Sequence, residues 1–445
     1  MDKNMNILLL GSGAREHNFA RLFLQSKNCK HLFVAPGNAG TAMMNNCTNV
    51  HLDAKDDKHS FVVINEFIEE KEIDMVLVGP EIPLVEGLID YLLEYCKRNN
   101  VLLIGPLANG AALEGSKNFT KEIMQRHKIP TANSTTFNAL QRDEAVQYLT
   151  NTATAPYVLK ADGLAAGKGV IITSDLNEAK KELGAMFDGK FGEASKTVVI
   201  EEFLDGIELS VIAIVDNDSC FLLPTSKDYK RIGESDTGKN TGGMGAVSSV
   251  PFADEAFMTK VQERIIDPML EAVNHQGIDY WGFMYFGLMN VHGDPYVIEI
   301  NCRMGDPEAS AILPKIKSDF VNLMEACCIG NLKHANIEID DRPCATIVLV
   351  AQGYPDDYEK GKIITGLDKD FGEDVIITHA GTKEVDGNIV TNGGRVIDIT
   401  CFAETLSMAV EKCLDIAEHI NFDGKYYRHD IGFEFIHEIH NHPTE

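Results

Sequence analysis

Short apolar runs alternate with longer amphipathic segments over the first hundred residues of the chain. The apolar runs have the length of buried strands, and they lie at residues 6–10, 32–35, 75–78 and 101–104. Apolar residues at helical spacing predict helices at residues 14–26, 61–71 and 85–98. Strands that alternate with helices predict a parallel, doubly wound α/β sheet.

Loops rich in Gly or Pro follow three of these strands, at residues 11–17, 36–40 and 79–84. Ligands on such sheets bind at the carboxyl ends of the strands, and a glycine turn before a helix suits an anion. The first loop, GSGAREH, nearly fits the dinucleotide fingerprint, but Glu16 replaces its third glycine and no acidic residue ends the second strand. The pattern therefore disfavours NAD and favours a phosphate monoester. Arg15 either contacts that phosphate or lies on the helix surface.

A smaller unit of residues 131–196 contains the Gly- and Ala-rich stretch VLKADGLAAGKGV at residues 158–170. Its small residues allow backbone amides to approach a ligand, and Lys160 and Lys168 favour a polyanion such as a nucleoside triphosphate. The stretch is not a Walker A loop, because Gly169 follows the lysine and a strand comes next. A glycine hairpin with two solvated lysines is the alternative interpretation.

Two further segments of the middle region are candidates for ligand binding. The strand predicted at residues 197–200 ends in EEFL, which suits adenine and ribose recognition or a plain hairpin. Residues 224–247 form a long irregular stretch, PTSKDYKRIGESDTGKNTGGMGAV, that becomes glycine-rich towards its end. Loops of this length are usually functional or disordered. Its cations favour an anion-handling lid; they are Lys227, Lys230, Arg231 and Lys239.

The strongest local signal is PYVIEINCRMGDPE at residues 295–308. Strand alternation places Glu299 and Asn301 on one face, about 6.5–7 Å apart at the backbone. Their oxygens suit Mg²⁺, which takes few protein ligands and otherwise binds water and phosphate. Arg303 continues the same face, so carboxylate, amide and guanidinium together indicate phosphoryl transfer. A salt bridge between Glu299 and Arg303 at a strand edge is the alternative.

The last hundred residues have an α+β pattern. Apolar runs predict strands at residues 345–351, 374–378, 389–390 and 395–400, and a helix follows at residues 404–420. The tail holds several histidines, for which a solvated terminus is favoured over a metal site. These histidines are His429, His437, His440 and His442.

Composition narrows the function classes. A chain of 445 residues predicts two to four domains, and its formal net charge of −27 argues against a nucleic-acid partner. The ten cysteines include no CxxC pair, so reduced thiols are expected rather than zinc or disulfides. No apolar run approaches the roughly 18 residues of a membrane helix. We therefore expect a cytoplasmic protein without a membrane partner.

Taken together, these motifs resemble the ATP-grasp superfamily and, within it, the phosphoribosylamine–glycine ligase family. The resemblance extends from residue 6 to about residue 432. It rests on GSGAREH, PGNAGT, VGPEIPL, LEGSKNFTK, LKADGLAAGKGV, IEEFLDGIELS, DYKRIGESDTGKNTGGMGA, IEINCRMGDPE, HAGT, TNGGRV and RHDIG. It implies a Rossmann-like N-terminal domain (1–110), an ATP-grasp central domain (111–130 and 197–330), an ATP-grasp B domain (131–196) and a small α+β C-terminal domain (331–445).

The resemblance also implies an activity in purine biosynthesis. ATP phosphorylates glycine to glycyl phosphate, and the amine of 5-phosphoribosylamine displaces the phosphate. The implied cofactor is ATP with Mg²⁺, with Mn²⁺ as an alternative. The partners are these small molecules, and we expect a monomer, with a weak dimer as the alternative.

Site residues carry over from the family by motif. Those implied to bind ATP are Lys117, Lys160, Gly163, Gly167, Lys168, Gly169, Glu201, Glu202, Phe203, Leu204 and Glu208. Those implied to bind the other substrates are Gly11, Gly13, Arg15, Asn38, Glu81, Asp228, Lys230 and Arg303. Glu299 and Asn301 are the implied metal ligands, and with Arg303 they form the implied catalytic set.

Several positions depart from the family pattern, namely Ala14, Lys239 and Val247, and none of them removes a group that the chemistry requires. The strand beside the metal ligands offers no further carboxylate near residues 288–289. The alternative functions are a related carboxylating or formyl-transferring ATP-grasp enzyme, a catalytically silent nucleotide-binding module and, last, a dehydrogenase.

Overall fold

The computed structural model describes residues 4–52, 58–165, 167–217 and 219–436. The N-terminal strands are β1 (Met5–Gly11), β2 (Cys29–Pro36), β3 (Cys47–Asn49), β4 (Met75–Val78) and β5 (Leu102–Ile104). They form a parallel sheet in the order β3-β2-β1-β4-β5. The helices are α1 (Ala14–Gln25), α2 (Ala39–Ala42), α3 (Lys58–Glu70), α4 (Glu81–Val85) and α5 (Leu88–Asn99). The predicted doubly wound sheet is confirmed.

Two details of this domain differ from the prediction. Residues 81–84, predicted as loop, belong to the short helix α4. The helix predicted at residues 85–98 begins only at Leu88. Gly87 separates the two helices because its φ of +86° is a left-handed conformation that glycine adopts without strain.

Next along the chain come α6 (Ala108–Gly115) and α7 (Lys117–Arg126). A separate unit then consists of β6 (Ser134–Asn138), α8 (Arg142–Asn151), β7 (Tyr157–Ala161), β8 (Val170–Thr173), α9 (Leu176–Phe187) and β9 (Thr197–Glu201). Its sheet has the order β6-β9-β7-β8. The unit has its own hydrophobic core, which includes Leu159, Leu183 and Ile200.

The chain from residue 207 to residue 301 contributes strands to three sheets. Its strands are β10 (Ile207–Asp216), β11 (Cys220–Leu222), β12 (Lys227–Asp228), β13 (Arg231–Gly233), β14 (Thr237–Asn240), β15 (Gly245–Ser248), β16 (Trp281–Val291) and β17 (Asp294–Asn301). The order β11-β10-β16-β17 forms the central antiparallel sheet. The helices α10 (Glu255–Val261) and α11 (Asp267–His275) belong to this region, and α12 (Glu308–Ile312) and α13 (Phe320–Cys328) follow it.

The C-terminal region is α+β, as predicted. Its elements are β18 (Cys344–Ala351), β19 (Val375–His379), β20 (Thr382–Val385), β21 (Asn388–Thr391), β22 (Arg395–Phe402), α14 (Leu406–Ala417), β23 (Lys425–Tyr426) and α15 (Phe433–Ile436). The main sheet has the order β12-β15-β18-β22-β19, and β23 pairs with β18. Strands β12 and β15 thus join this sheet from a distant part of the sequence.

The segment predicted to be a lid is instead tied to the C-terminal region. Besides the strand pairing, the guanidinium of Arg428 is fully buried and donates to Asp236 Oδ1 at 2.7 Å and to the carbonyl of Arg231 at 3.2 Å. Lys227 Nζ lies 2.7 Å from Glu434 Oε1. The local sequence pattern did not predict this anchoring, because Arg428 and Glu434 lie about 200 residues further along the chain than the segment they hold.

Two expectations concern membranes and the histidine-rich tail. None of the helices in the described ranges has the length and apolar character needed to cross a bilayer. His437, His440 and His442 lie outside the described residues, whereas His429 is exposed and lies 2.9 Å from Glu234 Oε1.

Candidate active site

Glu299 on β17 lies at the centre of a cationic cluster. Burial acts to raise its pKa, but the surrounding cations lower it below the ordinary value. These cations are Lys230, Lys160, Lys117 and Arg303. They come from β7, α7, the segment after β12 and the loop after β17, so only the tertiary fold assembles them. Such a concentration of positive charge in a strongly acidic protein suits a polyanionic ligand.

The two predicted phosphate lysines come from α7 and β7. Lys117 Nζ lies 3.3 Å from the carbonyl of Gly163 and 3.5 Å from that of Asp162. Burial lowers the pKa of Lys117, and nearby Glu299 opposes that shift. Lys160 Nζ donates to the carbonyl of Ile298 at 3.2 Å. Lys117 is thus held by carbonyls of the loop after β7, and Lys160 by a carbonyl of β17.

The predicted phosphate loop follows β7 and contains Gly163, Gly167, Lys168 and Gly169. The amide of Gly163 donates to the carbonyl of Ala194 at 3.2 Å, which fixes the start of the loop. Lys168 Nζ points away from the cluster and lies 3.3 Å from the carbonyl of Pro355. Of the two lysines in the original motif, only Lys160 therefore belongs to the cationic cluster.

Glu201 is buried in an ion cluster rather than facing open space. Its Oε2 lies 2.9 Å from Lys160 Nζ, and its Oε1 lies 3.3 Å from Lys121 Nζ. The three side chains are 3–6% exposed. Burial lowers the pKa of Lys121 to about 8, although Glu201 opposes the shift. The Glu201 side chain is already paired with two lysines. A nucleoside could therefore contact Glu201 through its backbone, and in that form the prediction fits this geometry.

The remaining residues predicted to bind the nucleoside line the surface beside this ion cluster. Phe203 is 39% exposed, an unusual exposure for a phenylalanine, and Leu204 is half-buried. Glu202 is exposed and accepts hydrogen bonds from Asn133 N at 3.0 Å and Nδ2 at 2.9 Å. The carboxylate of Glu208 lies 3.0 Å from Lys230 Nζ. An exposed aromatic ring beside carboxylates offers a surface on which a base could pack, and these roles remain predictions.

Arg303 is held between two carboxylates. Its Nη2 donates to Glu114 Oε1 at 2.8 Å, and its Nε lies 3.3 Å from Glu81 Oε2. Burial acts to raise the pKa of Glu81, but Arg303 and Arg15 lower it. The salt bridge between Arg303 and Glu299, which was the alternative interpretation, is not among the ion pairs of the described residues. Glu81 therefore joins the loop at residues 79–84 to Arg303, the predicted catalytic arginine.

The first glycine turn is filled by a side chain of its own helix. Glu16 Oε2 accepts the amide of Gly13 at 2.7 Å, and a Cβ on Gly11 would approach Glu16 Cδ to 2.4 Å. Arg15 is buried, pairs with Glu16 Oε1 at 2.6 Å and donates to the carbonyl of Met304 at 3.1 Å. Arg15 is therefore not on the helix surface. Binding of a phosphate by Gly13 remains a prediction that requires Glu16 to release this amide.

Asn38 joins the glycine-rich loop at residues 36–40 to the C-terminal region. Its Oδ1 caps α2 through the amides of Gly40 and Thr41, and its Nδ2 donates to the carbonyl of His379 at 2.8 Å. The amide of His379 donates in turn to His17 Nδ1 at 2.9 Å. Burial lowers the pKa of His379 to about 4, so both rings of this contact are neutral near pH 7.

Asp228 is buried, and it was predicted together with Lys230 to bind a substrate other than ATP. Burial raises the pKa of Asp228 well above the ordinary value, and Glu308 adds to that shift. Its Oδ1 is buried and has no hydrogen-bond partner among the described residues. Lys230 has a raised pKa because Glu208 and Glu299 outweigh its burial. Burial thus favours the neutral form of this carboxyl, and a cation brought beside it would favour the charged form.

The donor set for a metal consists of Glu299 and Asn301. Gly287 of β16 lies opposite Glu299, so the neighbouring strand adds no carboxylate at this position. Within the described ranges, no group of three or more His, Cys, Asp or Glu side chains could hold a metal by itself. One carboxylate and one amide fit Mg²⁺ that takes its other ligands from water and phosphates.

Comparison with known families identifies the chain. Models for the N domain, the ATP-grasp (A) domain and the C domain of phosphoribosylglycinamide synthetase match residues 5–114, 115–309 and 344–434. The chain belongs to the phosphoribosylglycinamide synthetase family.

Members of this synthetase family are similar to the chain over its whole length. Phosphoribosylamine–glycine ligase of Haemophilus influenzae is 44% identical over 434 residues, which cover 97% of this chain and 99% of that protein. The Escherichia coli O157:H7 protein of the same name is 42% identical over 440 residues, 98% of this chain and 100% of that protein.

Solved structures show the same family and fold. The crystal structure of phosphoribosylamine–glycine ligase from Thermotoga maritima has a TM-score of 0.81 and 34% identity, covering 96% of this chain and 100% of that chain. Biotin carboxylase from Campylobacter jejuni has a TM-score of 0.71 at 16% identity, covering 99% and 97%. The second match shows a shared fold alone. The predicted multidomain α/β and α+β fold with an ATP-grasp core is thereby confirmed.

Sequence reasoning missed several residues of this synthetase site. Lys121 and Glu114 stand within the LEGSKNFTK motif, but their partners lie far away in the sequence. Asp162 lies in the quoted loop motif and accepts the amide of Asn118 at 2.7 Å. Glu16 was noted only as a missing glycine. The sequence did offer one signal for such residues, because Glu114 and Asp162 each stand directly before a glycine of a motif. This signal does not specify which residue each carboxylate contacts.

Proposed function

We propose that this chain uses ATP to join glycine to 5-phosphoribosylamine through a glycyl phosphate intermediate. The products are glycinamide ribonucleotide, ADP and phosphate. Membership of the phosphoribosylglycinamide synthetase family supports the overall reaction. The observation that carries the chemistry is the cluster of four cations around Glu299, because phosphoryl transfer depends mainly on positioning and charge neutralisation.

In this proposal Lys117 and Lys160 hold the phosphates of ATP. Glu299 and Asn301 hold Mg²⁺, or Mn²⁺ as an alternative, and the bound ion supplies further charge neutralisation. Arg303 orients the glycine carboxylate against the γ-phosphate. A carboxylate oxygen forms the new bond to the γ-phosphorus while the bond to ADP breaks, which leaves an acyl phosphate.

The acceptor then reacts at the carbonyl carbon of glycyl phosphate. The amine nitrogen of phosphoribosylamine forms the C–N bond, loses a proton, and phosphate leaves. Arg303 stabilises the oxyanion that develops in this step, an effect that commonly contributes about 10²–10³-fold to such rates. Asp228 faces the glycine ammonium group, and the loops that contain Gly11, Asn38 and Glu81 hold the phosphoribosyl group.

The test is an omission assay on the full chain. ADP release is expected only when ATP, glycine and phosphoribosylamine are all present, and bicarbonate or formate is not expected to replace glycine. ATP hydrolysis that is unchanged when either cosubstrate is left out would refute the ligase function. Glycine labelled with ¹⁸O in its carboxylate tests the intermediate, because an acyl phosphate transfers the label to the released phosphate. Unlabelled phosphate would exclude glycyl phosphate.

A further inference from the structure

Glu114 lies behind Arg303 and grips two successive residues of the chain. Its Oε1 accepts from Arg303 Nη2 at 2.8 Å, and its Oε2 accepts from the backbone amide of Cys302 at 2.8 Å. The Cys302 thiol lies 3.3 Å from the same Oε2. The Glu114 side chain is 6% exposed, so both of its oxygens are engaged within the protein. This carboxylate therefore fastens the chain directly after β17.

The two carboxylates beside Arg303, those of Glu81 and Glu114, differ in exposure and in how they contact the guanidinium. Glu81 is 25% exposed and lies 3.3 Å from Nε, and this Nε makes no well-aligned hydrogen bond within the described parts of the chain. Nη1 donates to the carbonyl of Met304 at 3.1 Å. Glu114 and Met304 thus fix one edge of the guanidinium. The Nε atom is itself buried beside Glu81.

Glu114 also stands three residues before Lys117, at the junction of α6 and α7. Ser116 in this junction caps α7 through the amide of Phe119 at 3.1 Å and donates to the carboxylate of Asp162 at 3.1 Å. The junction is therefore rigidly attached to the loop that follows Lys160. Through Glu114, the same junction also holds Arg303, which follows the end of β17.

We propose that Glu114 is a positioning residue of the ligase reaction, which holds Arg303 in register with Lys117. The inference rests on the proposed function, in which Arg303 orients the glycine carboxylate and Lys117 holds the phosphates of ATP. A misplacement of about 1 Å in such an arrangement can lower a rate about 10²-fold. Glu114 itself contacts neither phosphate nor carboxylate and acts only through Arg303.

The test is a mutant cycle with Glu114→Gln, Arg303→Met and the double variant. Glu114→Gln keeps the shape of the side chain, and it is expected to lower kcat about 10²-fold with a change of less than about twofold in the KM for ATP. The double variant is expected to match Arg303→Met alone, because residues that act as one unit have non-additive effects. Glu122→Gln, an exposed change on α7, serves as the control with unaltered kcat.

Each result decides between the roles. A Glu114→Gln enzyme with wild-type kcat refutes the positioning role, and so do losses that multiply in the double variant. A fall in kcat accompanied by a lower unfolding temperature and a raised KM for ATP indicates a structural role and also refutes it. Wild-type turnover measured in parallel separates the two proposals. If the wild-type chain shows no glycine-dependent ADP release, the proposed function fails and the positioning role fails with it.

Discussion

The buried ion cluster of Glu201 gives the sharpest prediction for stability. Glu201→Gln would keep the side-chain shape but leave the ammonium groups of Lys121 and Lys160 buried together without their shared carboxylate. Both lysines are 5–6% exposed and lie within 3.3 Å of Glu201. Breaking a buried ion pair in this way costs about 3–5 kcal/mol. We expect about 3 kcal/mol, because the glutamine amide oxygen can still accept one hydrogen bond.

Thermal unfolding at pH 7 measures this loss. A cost of about 3 kcal/mol corresponds to a fall of about 6–12 °C in the unfolding temperature of a domain of 150–250 residues. Glu144→Gln on α8 is the control, because Glu144 is exposed and an exposed substitution changes stability by about 0.5 kcal/mol or less. A fall in Glu201→Gln no larger than that of the control would refute the assignment of a coupled buried cluster.

The pH dependence tests the same cluster independently. The pKa of Lys121 is already lowered to about 8 in the wild-type protein, below its unfolded value of about 10.4. The unfolded chain therefore binds more protons between these two values, and stability rises with pH in that window. Above pH 8 the wild-type cluster also loses the Lys121 charge, so the contribution of its pairing with Glu201 fades. The difference between wild type and Glu201→Gln should shrink from pH 7 to pH 9, and a constant difference would contradict this account.

Three further predictions concern separate parts of the molecule. Glu299→Gln should lower turnover by about 10²-fold or more and shift the Mg²⁺ titration of ADP release to higher concentration, since metal binding is worth several kcal/mol; a variant with the wild-type titration would exclude Glu299 as a ligand. Arg428→Met should cost about 1.5–3 kcal/mol in urea unfolding, because it removes charged hydrogen bonds to the partly exposed Asp236 and Asp430; a loss below about 0.5 kcal/mol would show that the anchor is dispensable. The lowered pKa of His379, about 4 against about 6.5 unfolded, should remove about 3 kcal/mol of stability as the pH falls from 6.5 to 4; His379→Asn should flatten this part of an acid titration, and an unchanged titration would refute the assignment.

Much of the local structure could be predicted because it depends on short-range physics. The apolar strand at residues 7–10 is fully buried, as a continuous apolar run in a parallel sheet requires. Alternation along β17 correctly directed attention to Glu299, which lies at the centre of the cationic cluster. Glycine motifs marked the loops around it. Spacing cannot specify how these loops are oriented. Lys168, which the family resemblance implies to bind ATP, has its Nζ 3.3 Å from the carbonyl of Pro355, and its role stays a prediction.

Long-range pairing explains the remaining differences. The segment around Arg231 was predicted as a lid because its sequence is polar and irregular, yet the buried guanidinium of Arg428 anchors it. Glu201 was assigned to the nucleoside because it ends a strand, and only the fold brings Lys121 to it from α7.

The sequence by itself predicted the alternation of strands and helices in the N-terminal domain, the α+β pattern of the C-terminal region and the family, because periodicity and motif spacing act within a few residues. Only the tertiary structure decided which charges meet. A buried carboxylate such as Glu114 or Glu201 must find a cation or a donor, and the partner that satisfies it is chosen by packing rather than by proximity in sequence. The same rule makes Glu299 a centre of four cations, and it turns separate motifs into one candidate active site.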